Sequence, residues 1–305
     1  MYQVQRLVFY YSVSPVHMGA GTSVGVIDNP IQREVHTKHP VFAGSGIKGA
    51  VRNYCTAAWG TTAKGDVTAI FGPDNDASDH AGAVAFTDAQ LVLFPIRSLK
   101  GGYVYATSPL ALARMLRLTG NTASWTVPTS VETGKCMMTN DALLTDGKLV
   151  LEAFEFTRLP GGSDIAEWLS KNCLPKEDGY AFFRDKLKHD LVILSDDDFS
   201  HFVENATAVE THVRINNDTG TAEDGGLFYT ENLPPESLMV GRVMASVERT
   251  KSNGDRSATI KPRDAEDLLK VLLDGEKGID GKLLQFGGDA TTGRGLVMLQ
   301  TQEIG

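Results

Sequence analysis

Residues 3–13, QVQRLVFYYSV, are rich in β-branched and aromatic residues and predict a strand. A long glycine-rich loop follows over 14–44. Residues 44–60, GSGIKGAVRNYCTAAWG, then predict a helix. Ser45 is placed to cap it, Ile47, Val51, Tyr54 and Ala58 fall on one face, and Gly60 ends it. A strand, a long loop and a helix in that order make an αβ unit whose loop is free to carry function.

Working outward, residues 82–87 and 90–96 predict a pair of strands. Further strands are expected at 148–158, 189–194, 209–215, 225–230, 238–249, 282–286 and 295–302. SPLALARMLRL (108–118) opens with Ser at the cap and Pro at the first helical position. SDDDFSHFVENA (195–206) is a Ser-capped helix with acidic residues at its positive end. PRDAEDLLKVLLDG (262–275) is a third helix, and NNDTGTAED (216–224) marks a hairpin or long loop. Strands and helices interleave without the cadence of a barrel or a doubly wound sheet. The expected fold class is α+β, with short αβ units around antiparallel strands in a ferredoxin-like architecture bearing large insertions.

Forty-two per cent of residues are hydrophobic and 22% charged, the composition of a globular chain. No run of about 18 apolar residues predicts a membrane span, and no basic leader with a cleavage site is present, so a cytoplasmic location is expected. Cys55, Cys136 and Cys173 are scattered and lack metal spacing, which suits reduced thiols acting as small apolar residues. The net charge of −9 argues against a generic nucleic-acid binder, because phosphate neutralisation needs cations. Only a local basic groove, or binding shared among copies, reconciles that charge with RNA.

Four segments carry chemistry. HMGAGTSVGVIDNPIQRE (17–34) places Asp28 on a flexible loop, where a turn-forming role is the plain alternative. GSGIKGAVR (44–52) sets Lys48 and Arg52 on one helical face near a helix N-terminus, as phosphate ligands or as solvated surface cations. QFGGDATTGRGL (285–296) is a loop able to present amides and hydroxyls, or a tight structural hairpin. VETHVRINNDTGTAEDGGLFYTENLPP (209–235) puts His212 and Arg214 on one side of a strand, with Tyr229 and Glu231 ending the next run. No Walker spacing, metalloprotease helix or serine elbow occurs.

Taken in order, the patterns HxGxGxxxGxxDxPIQRE, PxxxGSxxKGAxR, VxTHxRIxxxTxTAEDGxLFYxExLP and GGxxTTGRGL resemble the RAMP superfamily. They are similar more narrowly to the backbone subunits of type III-B (Cmr) CRISPR effectors, over essentially the whole chain. The resemblance implies one RAMP domain over 1–305, with a palm related to the RNA-recognition motif and a β-hairpin thumb at 205–228. It implies copies stacked in a helical filament on guide RNA, beside other complex subunits. Paired target RNA is cut at regular intervals by a metal-dependent endoribonuclease reaction, with Mg2+ or Mn2+ as cofactor and the 2′-hydroxyl as nucleophile. By the same resemblance Asp28 is the catalytic, metal-holding residue, and His17, Tyr229 and Glu231 lie near the scissile phosphate. RNA binding is assigned to Lys48, Arg52, Ser45, Arg33, Arg214, Gly287, Gly288, Thr291, Thr292 and Arg294. A non-cutting scaffold subunit and a RAMP-type guide-processing endonuclease are the alternatives. Membrane partners are not expected.

Overall fold

The structure is a computed structural model and describes residues 2–23, 25–74, 80–120, 123–249 and 262–304. Val24 of the glycine-rich loop lies outside the described residues. In chain order the elements begin with β1 (Val4–Ser12), β2 (Val41–Phe42), α1 (Gly44–Trp59), α2 (Lys64–Phe71), β3 (Val84–Phe86), β4 (Ala89–Arg97), β5 (Tyr103–Thr107) and α3 (Pro109–Thr119). They continue with β6 (Lys135–Met137), β7 (Leu144–Thr145), β8 (Lys148–Leu151), β9 (Phe154–Leu159), α4 (Ser163–Asn172), α5 (Ala181–His189), β10 (Leu191–Leu194) and α6 (Asp196–Asn205). The last are β11 (Ala208–Ile215), β12 (Ala222–Asn232), β13 (Leu238–Ala245), α7 (Ala265–Leu273), β14 (Leu283–Gln285) and β15 (Leu296–Glu303).

Strand β1 explains why LVFYY is a continuous apolar run. It pairs antiparallel with β13 on one side and β15 on the other, and both of its faces are covered. Leu7, Phe9 and Tyr11 enter one core with Leu112 and Met115 of α3, Leu169 of α4 and Leu187 of α5. Val8 and Tyr10 enter a second core with Ile47, Val51 and Cys55 of α1 and Leu268 and Leu272 of α7. A strand buried on both faces loses the polar half of its alternation. The order β15-β1-β13-β4 is the centre of the ferredoxin-like palm, sandwiched between the two helical layers. The sheet continues through β5, β10, β6, β9 and β8 to β7, while β11 and β12 form a separate two-stranded hairpin. Among the described residues no helix is long and apolar enough to cross a membrane. The three thiols are free and buried, and desolvation pushes those of Cys55 and Cys136 up to about 12.

Several expectations are corrected. Strands β3 and β4 do not pair with each other; both lie against β13. The single strand expected at 148–158 is the hairpin β8–β9, turned at Glu152, which adopts a φ of 50°. Ser45 does not cap α1. The helix starts at Gly44, so the cap position falls on Ala43, which has no suitable side chain. Asp88, from the turn between β3 and β4, takes over: Gly44 N donates to its Oδ1 at 2.7 Å. Ser108, Ser195 and Asp264 do cap their helices, accepting from the amides of Ala111, Asp198 and Asp267.

A borrowed cap is worth about as much as a local one. Asp88→Ala is expected to lower stability by about 1 kcal/mol, read as a shift in the denaturant midpoint with unchanged slope. Ser45→Ala should leave the midpoint in place.

Candidate active site and nucleic-acid interface

The hairpin β11–β12 stands on the glycine-rich loop through a short parallel bridge between Asn29 and Thr230. Asn29 N donates to Tyr229 O and Glu231 N donates to Asn29 O, both at 3.0 Å. The bridge fixes Asp28: Tyr229 N donates to its Oδ2 at 2.8 Å. Asp28 is half-buried, and no donor meets its second oxygen among the described residues.

His17 sits across from this bridge. Its Nδ1 lies 2.7 Å from Glu231 O. A carbonyl can only accept, so Nδ1 carries the proton and Nε2 is the free ring position. Gly19 and Gly288 flank the ring; a Cβ at Gly19 would stand 2.8 Å from Nε2. His17 opens into a cavity of about 480 Å³ that also takes in Asn29, His212, Phe228, Thr292 and Arg294. On the hairpin wall the His212 and Phe228 rings stack at 5.1 Å and 19°. Arg294 is held there by Glu210 at 2.5 Å.

Two residues assigned near the scissile phosphate with His17 leave the cavity face. Phe228 and Thr230 face the cavity, so strand alternation sends Tyr229 and Glu231 to the opposite face. Glu231 is buried, and its carboxylate is fully engaged: Ile31 N donates to Oε2 (3.0 Å), while Thr207 Oγ1 (2.8 Å) and Arg33 Nη2 (2.5 Å) donate to Oε1. Its carboxylate braces the hairpin against the loop, and its main-chain carbonyl holds His17. Arg33 is drawn into the same brace, and its Nη1 donates to Lys38 O and Val203 O.

Part of the glycine loop is committed to the protein itself. The amides of Gly288, Thr292, Gly293, Arg294 and Gly295 donate to protein carbonyls, so they do not form a phosphate nest. Gly287 and Gly295 are required internally: a Cβ would lie 2.1 Å from His17 O and 2.0 Å from Phe286 O respectively, at φ of 74° and 79°. Thr292 Oγ1 donates to Asp289 O, and Thr291 is exposed.

Of the assigned cations, Arg52 pairs with Asp74 and donates to Gly72 O, and Arg214 lies 3.6 Å from Glu223 while remaining exposed. Lys48 has no carboxylate partner among the described residues. Desolvation, then Arg52 and Arg249, hold its ammonium below the usual lysine range. A half-buried lysine flanked by like charge gains more from an incoming phosphate than a solvated one does.

Among the described residues no three His, Cys, Asp or Glu side chains gather to hold a metal ion. Asp28 offers a single carboxylate. That set fits a divalent ion only where other oxygens, such as those of an RNA phosphate, complete the shell, as Mg2+ commonly allows.

The sequence from 10 to 297 matches the RAMP superfamily. The CRISPR system Cmr endoribonuclease Cmr4 of Pyrococcus furiosus is 33% identical over 303 residues, covering 98% of this chain and 96% of that protein. The crystal structure of oligomeric Cmr4 from Pyrococcus furiosus superposes with a TM-score of 0.70 at 27% identity, covering 99% of both chains. A chain in the cryo-EM structure of the type III-B Cmr-beta complex bound to cognate target RNA shares the fold, with a TM-score of 0.70 at 18% identity over 98% of each chain. The chain belongs to the RAMP superfamily and, within it, to the Cmr4 family.

Removing the brace leaves the half-buried Arg33 and the Ile31 and Thr207 donors without their acceptor, which costs about 1–3 kcal/mol. Glu231→Ala is therefore expected to lower the unfolding free energy by about that amount. A folded, fully stable Glu231→Ala protein lacking only RNA cleavage would return Glu231 to the chemistry.

Proposed function

We propose that this chain is the repeated backbone subunit of a type III-B CRISPR effector, which polymerises along a guide RNA with other complex subunits and cuts the paired target RNA. The observation that carries this reading is the placement of Asp28. The residue expected to act sits where the hairpin joins the loop, with one carboxylate oxygen tied down and the other without a donor among the described residues. The hairpin over 205–228 is the thumb that separates bases, and its outer face supports this with exposed Val213, Ile215 and Leu227. The endoribonuclease named for the Pyrococcus relative is the activity expected here.

In the cut, the target's 2′-oxygen attacks the adjacent phosphorus, and the bond to the 5′-oxygen of the next nucleotide breaks. This needs a near-linear arrangement that a regular helix denies and a displaced nucleotide permits, so positioning supplies a large share of the rate. His17 Nε2, left free because Nδ1 is held, would receive the 2′ proton. Asp28 would orient that hydroxyl or hold a divalent ion. Such an ion, Mg2+ or Mn2+, would supply charge neutralisation at the phosphate. Specificity comes from pairing with the guide, not from protein contacts to bases.

Asp28→Asn keeps an oxygen for the Tyr229 amide and removes the charge. It is expected to abolish the evenly spaced, magnesium-dependent cleavage ladder on a complementary target while filament assembly persists. Loss of assembly would make Asp28 structural, and an undiminished ladder would remove it from the reaction.

Lys48→Ala should weaken guide binding and reduce the slope of log affinity against log salt by about 0.7 per subunit, one single-strand phosphate contact. An unchanged slope would make Lys48 an ordinary surface lysine.

A further inference from the structure

A second cavity, of about 370 Å³, lies between α1 and the two glycine-rich loops. Its walls include Gln32, Gln285, Asn53, Gly46, Gly49 and Gly287, with no charged side chain among its lining. The two glutamines enter it in a fixed sense. Gln32 Nε2 donates to Gly19 O at 2.9 Å. Gln285 Nε2 donates to Gly287 O at 2.9 Å, with Phe286 O and Gly288 O at 3.2 and 3.4 Å. Carbonyl oxygens cannot donate, so neither amide can be turned round. Each is left with its Oε1, and no protein donor meets either oxygen among the described residues.

A cavity with fixed acceptors and no cation does not suit a phosphate; it calls for a hydrogen-bond donor. We infer that Gln32 and Gln285 accept hydrogen bonds from ribose 2′-hydroxyls of the guide strand and so make this groove select RNA over DNA. The inference rests on the guide-binding function proposed above. The 2′-hydroxyl is the donor that every ribonucleotide presents whatever its base, which is what a subunit reading no sequence requires. Charge is handled beside it. At about 100° per residue, Lys48 and Arg52 fall at one edge of the exposed face of α1, and Gly46, Gly49 and Asn53 along its middle beside them. Gly49 adds to the case: a Cβ there meets nothing within 4 Å, so the protein's own packing does not demand the glycine.

The test compares binding, at one salt concentration, of a labelled RNA with the same sequence carrying 2′-fluoro groups throughout. Fluorine keeps the RNA-like sugar pucker and cannot donate. Wild type is expected to bind the fluorinated strand more weakly, by about threefold to tenfold for each of the two hydrogen bonds lost per subunit. Gln32→Met and Gln285→Met should weaken RNA binding while leaving the fluorinated strand unaffected, so that the ratio falls toward one. Gly49→Leu, which fills the groove without touching the core, should weaken both strands in a protein of undiminished thermal stability. Equal binding of the two strands by wild type, or a ratio the glutamine variants do not change, overturns the inference and leaves guide binding intact. Failure to retain RNA of either kind overturns the guide-binding reading beneath it.

Discussion

The Glu231 carboxylate is the constraint on which the site depends. Through Arg33 it reaches the main chain near the end of α6, through Thr207 the start of the hairpin, and through the Ile31 amide the glycine-rich loop. Two segments remote in sequence, 31–33 and 203–207, are tied to one buried anion. A buried pair is a weak source of net stability, because desolvation offsets most of the attraction, but severing one is costly. Its value here is geometric. With Glu231 fixed, its carbonyl is fixed, and with the carbonyl the tautomer and direction of His17. The Asn29–Thr230 bridge next to it then sets Asp28.

The acidic composition, which argued against RNA, has a structural resolution. Arg33, Arg52 and Arg294 are held by Glu231, Asp74 and Glu210, so they organise the protein and contribute little net field. Lys48 is the exception, a cation beside two arginines rather than a carboxylate. Local charge at one helix face, repeated along a strand by successive copies, does not need a basic protein. Each subunit need supply only a small share of the neutralisation.

Much of the fold was legible. The LVFYY run, the Ser-Pro and Ser-Asp helix starts and the Asn-Asp-Gly hairpin loop each carry a local signal, and each formed where expected. The failures are those in which a distant residue decides. Ser45 has the right chemistry for a cap, yet Asp88 is brought to that helix end by the sheet. Glu231 is assigned near the scissile phosphate by family resemblance alone. Period-two alternation already separates Tyr229 and Glu231 from Phe228 and Thr230, but which face meets His17 is a tertiary fact. Gln32 and Gln285 lay inside the segments singled out, and drew no attention because an uncharged amide gives no signal until its donor end is seen to be occupied.

Glycine shows most plainly how sequence and structure divide the work. A cluster of glycines in a loop suggests a cradle for a ligand, and the 287–295 segment looked like one. Its glycines are fixed by the protein itself: a side chain at 287 or 295 would overlap a backbone carbonyl. Gly49 lies in mid-helix, where glycine costs about 1 kcal/mol relative to alanine, and no internal neighbour calls for it. A glycine explained by its own fold says little about a ligand. One that the fold would be better without points to something outside the chain approaching that face.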